Sequence, residues 1–209
     1  HTRGCVLSFQ YSIIEYWTME RNRKPHSPVG EPENVLLGLL KQKSMHGYEL
    51  HKSLNALAAG GSVWRIKQAN LYALLDGLEQ DSLIKGEIVP AEVGLPRKVY
   101  NLTERGGEVL NRWISEPVLR PRDLRWDFLM RLYFARLEGR AAAQTLLQRQ
   151  RDAILDWKLD LDAASTVAEN SDPYQQVVLA YRCSQTQAAL DWLDWCETSE
   201  FMVVNLPSE

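Results

Sequence analysis

Long apolar runs are missing from this chain of 209 residues: none approaches the roughly 18–20 apolar residues that cross a bilayer, so no membrane partner is expected. Cysteine is scarce. Cys5, Cys183 and Cys196 form no CxxC pair, and their odd number leaves one thiol unmatched in any intrachain scheme, which points to a reducing compartment, the cytoplasm. The four histidines are scattered and build no metal-ligand set. Gly60-Gly61 is not followed by Lys-Ser or Lys-Thr, so no phosphate-cradling loop is read there. No Ser/His/Asp or Cys/His set has a setting suited to nucleophilic catalysis. These absences argue against an enzyme and against a bound metal or cofactor. What is present is ordinary for a globular protein, 45% apolar and 24% charged, in a length that allows one large domain or two small ones.

The formal net charge of −3 hides an uneven distribution. Residues 1–32 hold four Lys/Arg and three Asp/Glu, residues 33–115 ten and nine, and residues 116–209 ten and fifteen, giving +1, +1 and −5. The acidity belongs to the C-terminal part, and the N-terminal part is free to carry a local basic surface. Ser8, Gln10 and Glu15 interrupt the apolar run at 5–17 and no small-residue cleavage site follows, so secretion is not expected and Met19 reads as near the start. Residues 21–32, rich in Pro, Gly and charge, read as a linker, and 1–32 together as an N-terminal extension.

Val35, Leu36, Leu39 and Leu40 predict a helix over 33–43 with one wet face; Ser44-Met45-His46-Gly47 is a break. Leu50, Leu54 and Leu57 predict a second helix over 48–58, ended by Gly60-Gly61. A third starts near Lys67 and buries Leu71, Leu74, Leu75 and Leu78, the stripe of a core-facing helix. The period then changes. Residues 83–89 and 98–102 alternate like short strands, joined by a turn-rich tip from Pro90 to Pro96, and Thr103 suits the N-cap of a fourth helix through Trp113 and Ile114. Glu116-Pro117 to Arg122 marks a boundary, beyond which the chain reads helical. Phe128, Leu129, Leu132 and Tyr133 form a short amphipathic stretch, and Leu147, Ile154 and Leu161 recur every seven residues. From Pro173 to about Glu197, Tyr174, Val178, Tyr181, Gln185, Ala188, Trp192 and Trp195 alternate four and three apart, which is coiled-coil-like spacing. The tail from Phe201 reads as frayed. The fold class is therefore mainly α: an N-terminal winged helix-turn-helix with a two-stranded β-wing over 33–115, then a helical dimerisation domain over 117–200.

Helix, helix, helix, hairpin, helix in about 80 residues is the order of a module that can enter the major groove. With its leucines inward, the third helix turns Ala69, Asn70, Tyr72, Ala73 and Asp76 outward. The two alanines let the backbone approach base edges, Lys67 and Gln68 in the first turn reach phosphate or base, and Gln68 and Asn70 can pair with adenine in two-point fashion. Arg97 and Lys98 make the wing a short cationic loop suited to phosphate or the minor groove. The alternative is a winged-helix protein-interaction module that never touches DNA; an apolar outer face would favour it, a basic one DNA.

Val35-Leu-Leu-Gly-Leu-Leu40, His46-Gly-Tyr-Glu-Leu50, Asn70-Leu-Tyr-Ala-Leu-Leu75, Leu78-Glu79, Leu83-Ile84 and Arg97-Lys-Val-Tyr-Asn-Leu-Thr-Glu-Arg-Gly106, in this order and spacing, resemble the PadR family of transcriptional regulators. The resemblance covers 33–115 and continues less specifically through 117–197, which looks like the helical C-terminal domain of the longer, virulence-activator type. It implies a homodimeric repressor on double-stranded, palindromic operator DNA, with Tyr48 and Tyr72 on phosphates, the first half of the third helix on bases, and Arg97 and Lys98 anchoring the wing. Two departures stand out. Asp76-Gly77 occupies positions where relatives often carry basic residues, and Ser82 stands where they tend to have glycine.

Asp152, Asp156 and Asp160 share a helix face without any His or Cys, and read as solvated. Seven tryptophans are many for this length, and Trp113, Trp126, Trp157, Trp192 and Trp195 fall on predicted helices near the dimerisation half. Core and interface packing explains most of them. The resemblance adds a sharper idea, a planar aromatic effector stacking among Trp113, Trp126, Trp157 and Trp192. For the dimer, Tyr174, Val178, Tyr181, Ala188, Trp192 and Trp195 are the expected contact stripe.

Overall fold

The structure is a computed structural model, and it describes residues 31–58, 66–90, 96–168 and 172–199. The N-terminal extension up to residue 30, the Gly60-Gly61 helix end, residues 91–95 of the wing tip and the tail from residue 200 lie outside the described residues.

The first helix, α1 (Glu31–Gln42), buries every residue from Asn34 to Leu40, so the expected wet face is absent. Its reason lies downstream: Gly38 is packed against the ring of Phe134, 2.5 Å from where a Cβ would stand, and Phe134 belongs to the arm. A helix that serves two cores at once has no solvent side. Met45–His46 forms a two-residue strand, β1, where sequence indicated only a break. It pairs antiparallel with β3 (Arg97–Leu102), Met45 opposite Tyr100, and β3 pairs on its other edge with β2 (Ile84–Val89), from Ile84 opposite Leu102 to Val89 opposite Arg97. The wing is thus the outer part of a three-stranded sheet of order β1-β3-β2. A two-residue strand is too short to leave a periodicity.

Between the strands lie α2 (Gly47–Ala58) and α3 (Gln68–Gln80). The sheet hands over to α4 (Glu104–Ser115) through Thr103, whose hydroxyl oxygen accepts from Gly106 N–H at 3.0 Å and caps the helix as expected. Gly106 lies directly under the Leu83 carbonyl, where any side chain would strike backbone.

After a 3-10 turn (Pro121–Arg125), the arm consists of α5 (Asp127–Leu137), α6 (Arg140–Ala168) and α7 (Pro173–Thr198). The α5 helix is buried on most of its circumference, including Phe128, Met130, Leu132, Phe134 and Ala135, and is not the amphipathic stretch expected. It joins the winged module through polar groups as well. Arg131 and Asp127 form a buried two-point ion pair (2.8 and 3.0 Å), the Trp113 indole N–H donates to Asp127, and the third Arg131 nitrogen, Nη1, donates to the carbonyls of Trp113 and Glu116 at the end of α4. The fully buried Gln150 amide grips the connecting segment, accepting from Val118 N–H (2.8 Å) and donating to Val118 O (3.1 Å).

The α6 and α7 helices form an antiparallel pair, with Ala143, Leu146, Leu147 and Ile154 buried from one side and Thr186, Leu190, Leu193 and Cys196 from the other. Arg151 crosses between them to Asp194 (2.6 Å) and Glu197 (3.1 Å). Burial pushes the Cys196 thiol up to about 11, so it stays protonated within the apolar seam. None of the described helices is long and apolar enough to cross a membrane, and no His/Cys/Asp/Glu group among the described residues could hold a metal.

Candidate nucleic-acid interface

The site begins with a capping box. His46 stands just before α2; its backbone N–H donates to Glu49 Oε2, and its ring Nδ1 accepts from the Glu49 N–H, both at 3.3 Å. This is the reciprocal arrangement usually built from Ser or Thr with Glu, here with histidine as the side-chain acceptor. It fixes the entry of α2 and with it Tyr48, which is 63% exposed and stacks on the His46 ring at 6.3 Å. Tyr72 of α3 packs over Gly47, its ring carbon 2.7 Å from where a Cβ would be. The two tyrosines that the resemblance implicated are therefore brought to one place, and the Gly47 position explains why.

The α3 helix presents what its periodicity implied. Leu71, Leu75 and Leu78 are buried, Leu74 is half-buried, and Gln68, Ala69, Asn70, Tyr72, Ala73 and Asp76 are exposed. Lys67 occupies the N-cap in extended conformation and makes no side-chain cap. The first N–H groups of the helix therefore keep their donors and partial positive charge for an anion. At the other end the helix stops in a Schellman motif: Leu83 N–H reaches the Leu78 carbonyl and Ser82 N–H the Glu79 carbonyl. Ser82 sits at φ 58°, the left-handed region, which accounts for the glycine expected there. Gly77, the other departure, has nothing within 4 Å of a built Cβ.

The wing brings a surprise. Arg97 is exposed and, among the described residues, has no ion pair. Lys98 does have one: its ammonium donates to Glu79 Oε2 of α3 at 2.6 Å and lies 5.3 Å from the Tyr100 ring centroid. The Glu79 hydrogen bond raises the Lys98 pKa, and the same bond, opposed by slight burial and helped by Gly86 N–H, lowers that of Glu79. Lys98 thus differs from the free wing cation that sequence suggested. Asp76 adds negative field at both Lys98 and Tyr100, which puts it within reach of the wing as well as of solvent. Glu79 and Gly86 were missed as site residues; Leu78-Glu79 stood in the motif set, but nothing in a sequence says what Glu79 touches.

The four tryptophans differ in burial and partners. Trp113 is buried in the joint with Asp127 and Arg131, Trp192 meets Phe128 edge-on at 6.0 Å, and Trp126 and Trp157 are half-buried. An open hollow of about 710 Å3 is lined by Gln144, Thr145, Gln148, Arg149 and Glu197, without any of them. The dimer stripe divides. Tyr174, Tyr181, Ala188 and Trp195 face out, whereas Val178 and Trp192 are half-buried toward their own chain. Val177, 66% exposed, takes the outward place assigned to Val178. A spacing of alternating fours and threes fits two adjacent registers, and only the partner helix α6 decides between them.

Residues 36–112 match the model of the transcriptional regulator PadR-like family, and residues 124–199 match virulence activator alpha C-term; together the segments cover most of the chain. The negative transcriptional regulator PadR of Bacillus subtilis is 25% identical over 116 residues, which is 56% of this chain and 63% of that protein, so the match spans less than two thirds of that relative. A probable transcriptional regulator of Mycobacterium tuberculosis is 26% identical, with 78% of this chain and 93% of that one covered. Among solved structures, Bacillus subtilis PadR in complex with operator DNA is 21% identical with a TM-score of 0.39, covering 79% of this chain and 97% of its own. The same protein with p-coumaric acid gives 21% and 0.38, over 79% and 95%.

Proposed function

This chain belongs to the PadR-like family of transcriptional regulators, and from that premise we propose that it is a cytoplasmic, homodimeric repressor that binds a palindromic DNA operator through residues 33–115 and dimerises through residues 117–200. The observation that carries the DNA half is the exposed, polar first half of α3, Gln68 to Ala73, opening on an uncapped helix N-terminus with Tyr48 and Tyr72 beside it. Gln68 and Asn70 read bases, Tyr48, Lys67 and Tyr72 take phosphates, and Arg97 is the wing's phosphate contact. The interaction-module alternative draws on Ile88 and Val89, two exposed apolar residues of the wing on opposite faces of β2.

Dimerisation draws support from α7. Tyr174, Val177, Tyr181, Ser184, Ala188, Asp191 and Trp195 are all exposed and repeat at three and four residues, a seam in search of a second helix. A soluble monomer rarely leaves that much aromatic surface in one patch. A small aromatic effector enters from the family, in which the Bacillus subtilis protein has been crystallised with p-coumaric acid. With Trp113 committed to the joint, Trp126, Trp157 and Trp192 are the residues to probe.

The test is selection of bound duplexes from random-sequence DNA by the full chain. Recovery of a two-fold-symmetric site with half-sites about one helical turn apart, roughly 34 Å, is the expected result. Failure to enrich any sequence, with no salt-dependent duplex binding, would give the protein-interaction alternative the advantage.

A further inference from the structure

We propose that Glu79 is a positioning residue for operator binding: it struts both strands of the wing against the recognition helix, and Lys98 serves this strut and not the phosphate backbone. The inference rests on the DNA-binding reading above. Recognition helix and wing address different parts of a duplex, so their relative placement decides whether both engage at once. Glu79 lies in the last turn of α3, about three turns along the axis from Gln68 and on the same face as Gln68 and Tyr72. Its Oε1 accepts the Gly86 N–H of β2 at 3.0 Å, and its Oε2 takes the Lys98 ammonium of β3 at 2.6 Å. One carboxylate thus ties one helix to two strands.

The surroundings keep the strut in place. A Cβ at Gly86 would occupy the space of the Lys98 stem and come within 2.9 Å of Glu79 Oε1, so a side chain at this position of β2 would push the Lys98 side chain out of its present place. The Tyr100 ring supports the ammonium from the strand side, and Asp76, one turn before Glu79, adds a second negative charge. A lysine whose charge is already matched by a carboxylate releases few counterions on meeting DNA. Strand alternation sets neighbouring Arg97 on the opposite face of β3, which leaves it as the wing's available cation. The lowered Glu79 and raised Lys98 pKa values agree with the geometry.

The experiment measures full-chain binding, over a salt series, to the duplex recovered by selection and to a mixed-sequence duplex. The variants are Lys98→Glu, the charge swap Glu79→Lys with Lys98→Glu, the neutral pair Glu79→Gln with Lys98→Gln, and Arg97→Gln. Lys98→Glu should weaken binding to the selected duplex by about three- to tenfold, the range for a lost pair plus like-charge contact, and the swap, which rebuilds the ion pair but not the Gly86 bond, should restore part of it. The neutral pair should keep the wild-type salt slope, while Arg97→Gln flattens it by roughly 0.9. A neutral pair that also loses about 0.9 makes Lys98 a phosphate contact and overturns the inference. A second arm needs no DNA: the Glu79 carboxyl, followed by NMR, should titrate at higher pH in Lys98→Gln than in wild type. An unchanged midpoint removes the strut itself. If the wild type binds neither duplex, the operator reading falls and takes the positioning role with it, whereas the titration still reports whether the pair exists.

Discussion

Trp113 and Asp127 meet across the joint between winged module and arm, the indole N–H donating to the carboxylate at 3.2 Å while Arg131 closes on both. Both charged partners are more than nine-tenths buried, so each depends on the other. Removing one member of such a pair leaves an uncompensated charge and costs about 3–5 kcal/mol. Asp127→Ala should therefore lower the urea midpoint strongly, while Asp127→Leu combined with Arg131→Met should recover much of the loss. Equal midpoints for the single and double variants would show that the pair is not what holds the joint.

The recognition helix ends in a strained residue and contains a loose one. Ser82→Gly should stabilise the chain by about 1 kcal/mol, because glycine adopts the left-handed conformation without the Cβ conflict. Gly77→Ala should add about 1 kcal/mol through helix propensity, since no neighbour obstructs the new methyl. Thermal melts of the two variants and their combination check both, and the gains should add only loosely, since the sites share one helix end.

Base reading and backbone anchoring separate in measurement. Gln68→Ala or Asn70→Ala should change which base is preferred at one position, with a loss of about 1–3 kcal/mol on the selected site. Arg97→Gln should instead weaken all sequences alike. A uniform loss from the α3 variants would move base reading to another register of the helix.

Sedimentation equilibrium distinguishes the two faces of α7. Tyr181→Asp and Trp195→Asp, on the outward stripe, should give monomers with unchanged circular dichroism and weak operator binding. Trp192→Asp should behave differently, destabilising the arm by roughly 2–4 kcal/mol, the large-to-small core range discounted for half exposure. Dimers that survive both outward substitutions would transfer the contact to Leu155 and Leu159 of α6, which are also exposed.

Sequence made the winged module legible because its elements carry strong periodicities and local chemistry: the leucine stripe of α3, the Thr103 cap, the alternation of β2 and β3. The family resemblance was equally visible, as an ordered set of short motifs. Three things were not legible, and each depends on a distant partner. The α1 helix has no wet face because Phe134, almost a hundred residues on, covers it. Lys98 reads as a free cation until Glu79 is seen beside it. Val177 and Val178 differ in no intrinsic way, and only packing on α6 turns one out and the other in.

The grip of Gln150 on Val118 has a mechanical consequence. An amide that accepts from a backbone N–H and donates to the carbonyl of the same residue clamps the connector much as a neighbouring strand would, without spending a second stretch of chain. What it steadies is a lever: α6 has 29 residues and so extends about 43 Å. From Gln150 to the far end of the helix is about 27 Å, so a tilt of about 5° there carries that end by roughly 2.4 Å, most of the ~3.4 Å between successive base pairs. In a dimer joined along α7, looseness at this clamp would become error in the distance between two recognition helices. The fidelity with which such a protein gauges the gap between half-sites is then set by one buried glutamine at the lever's fulcrum, far from any base.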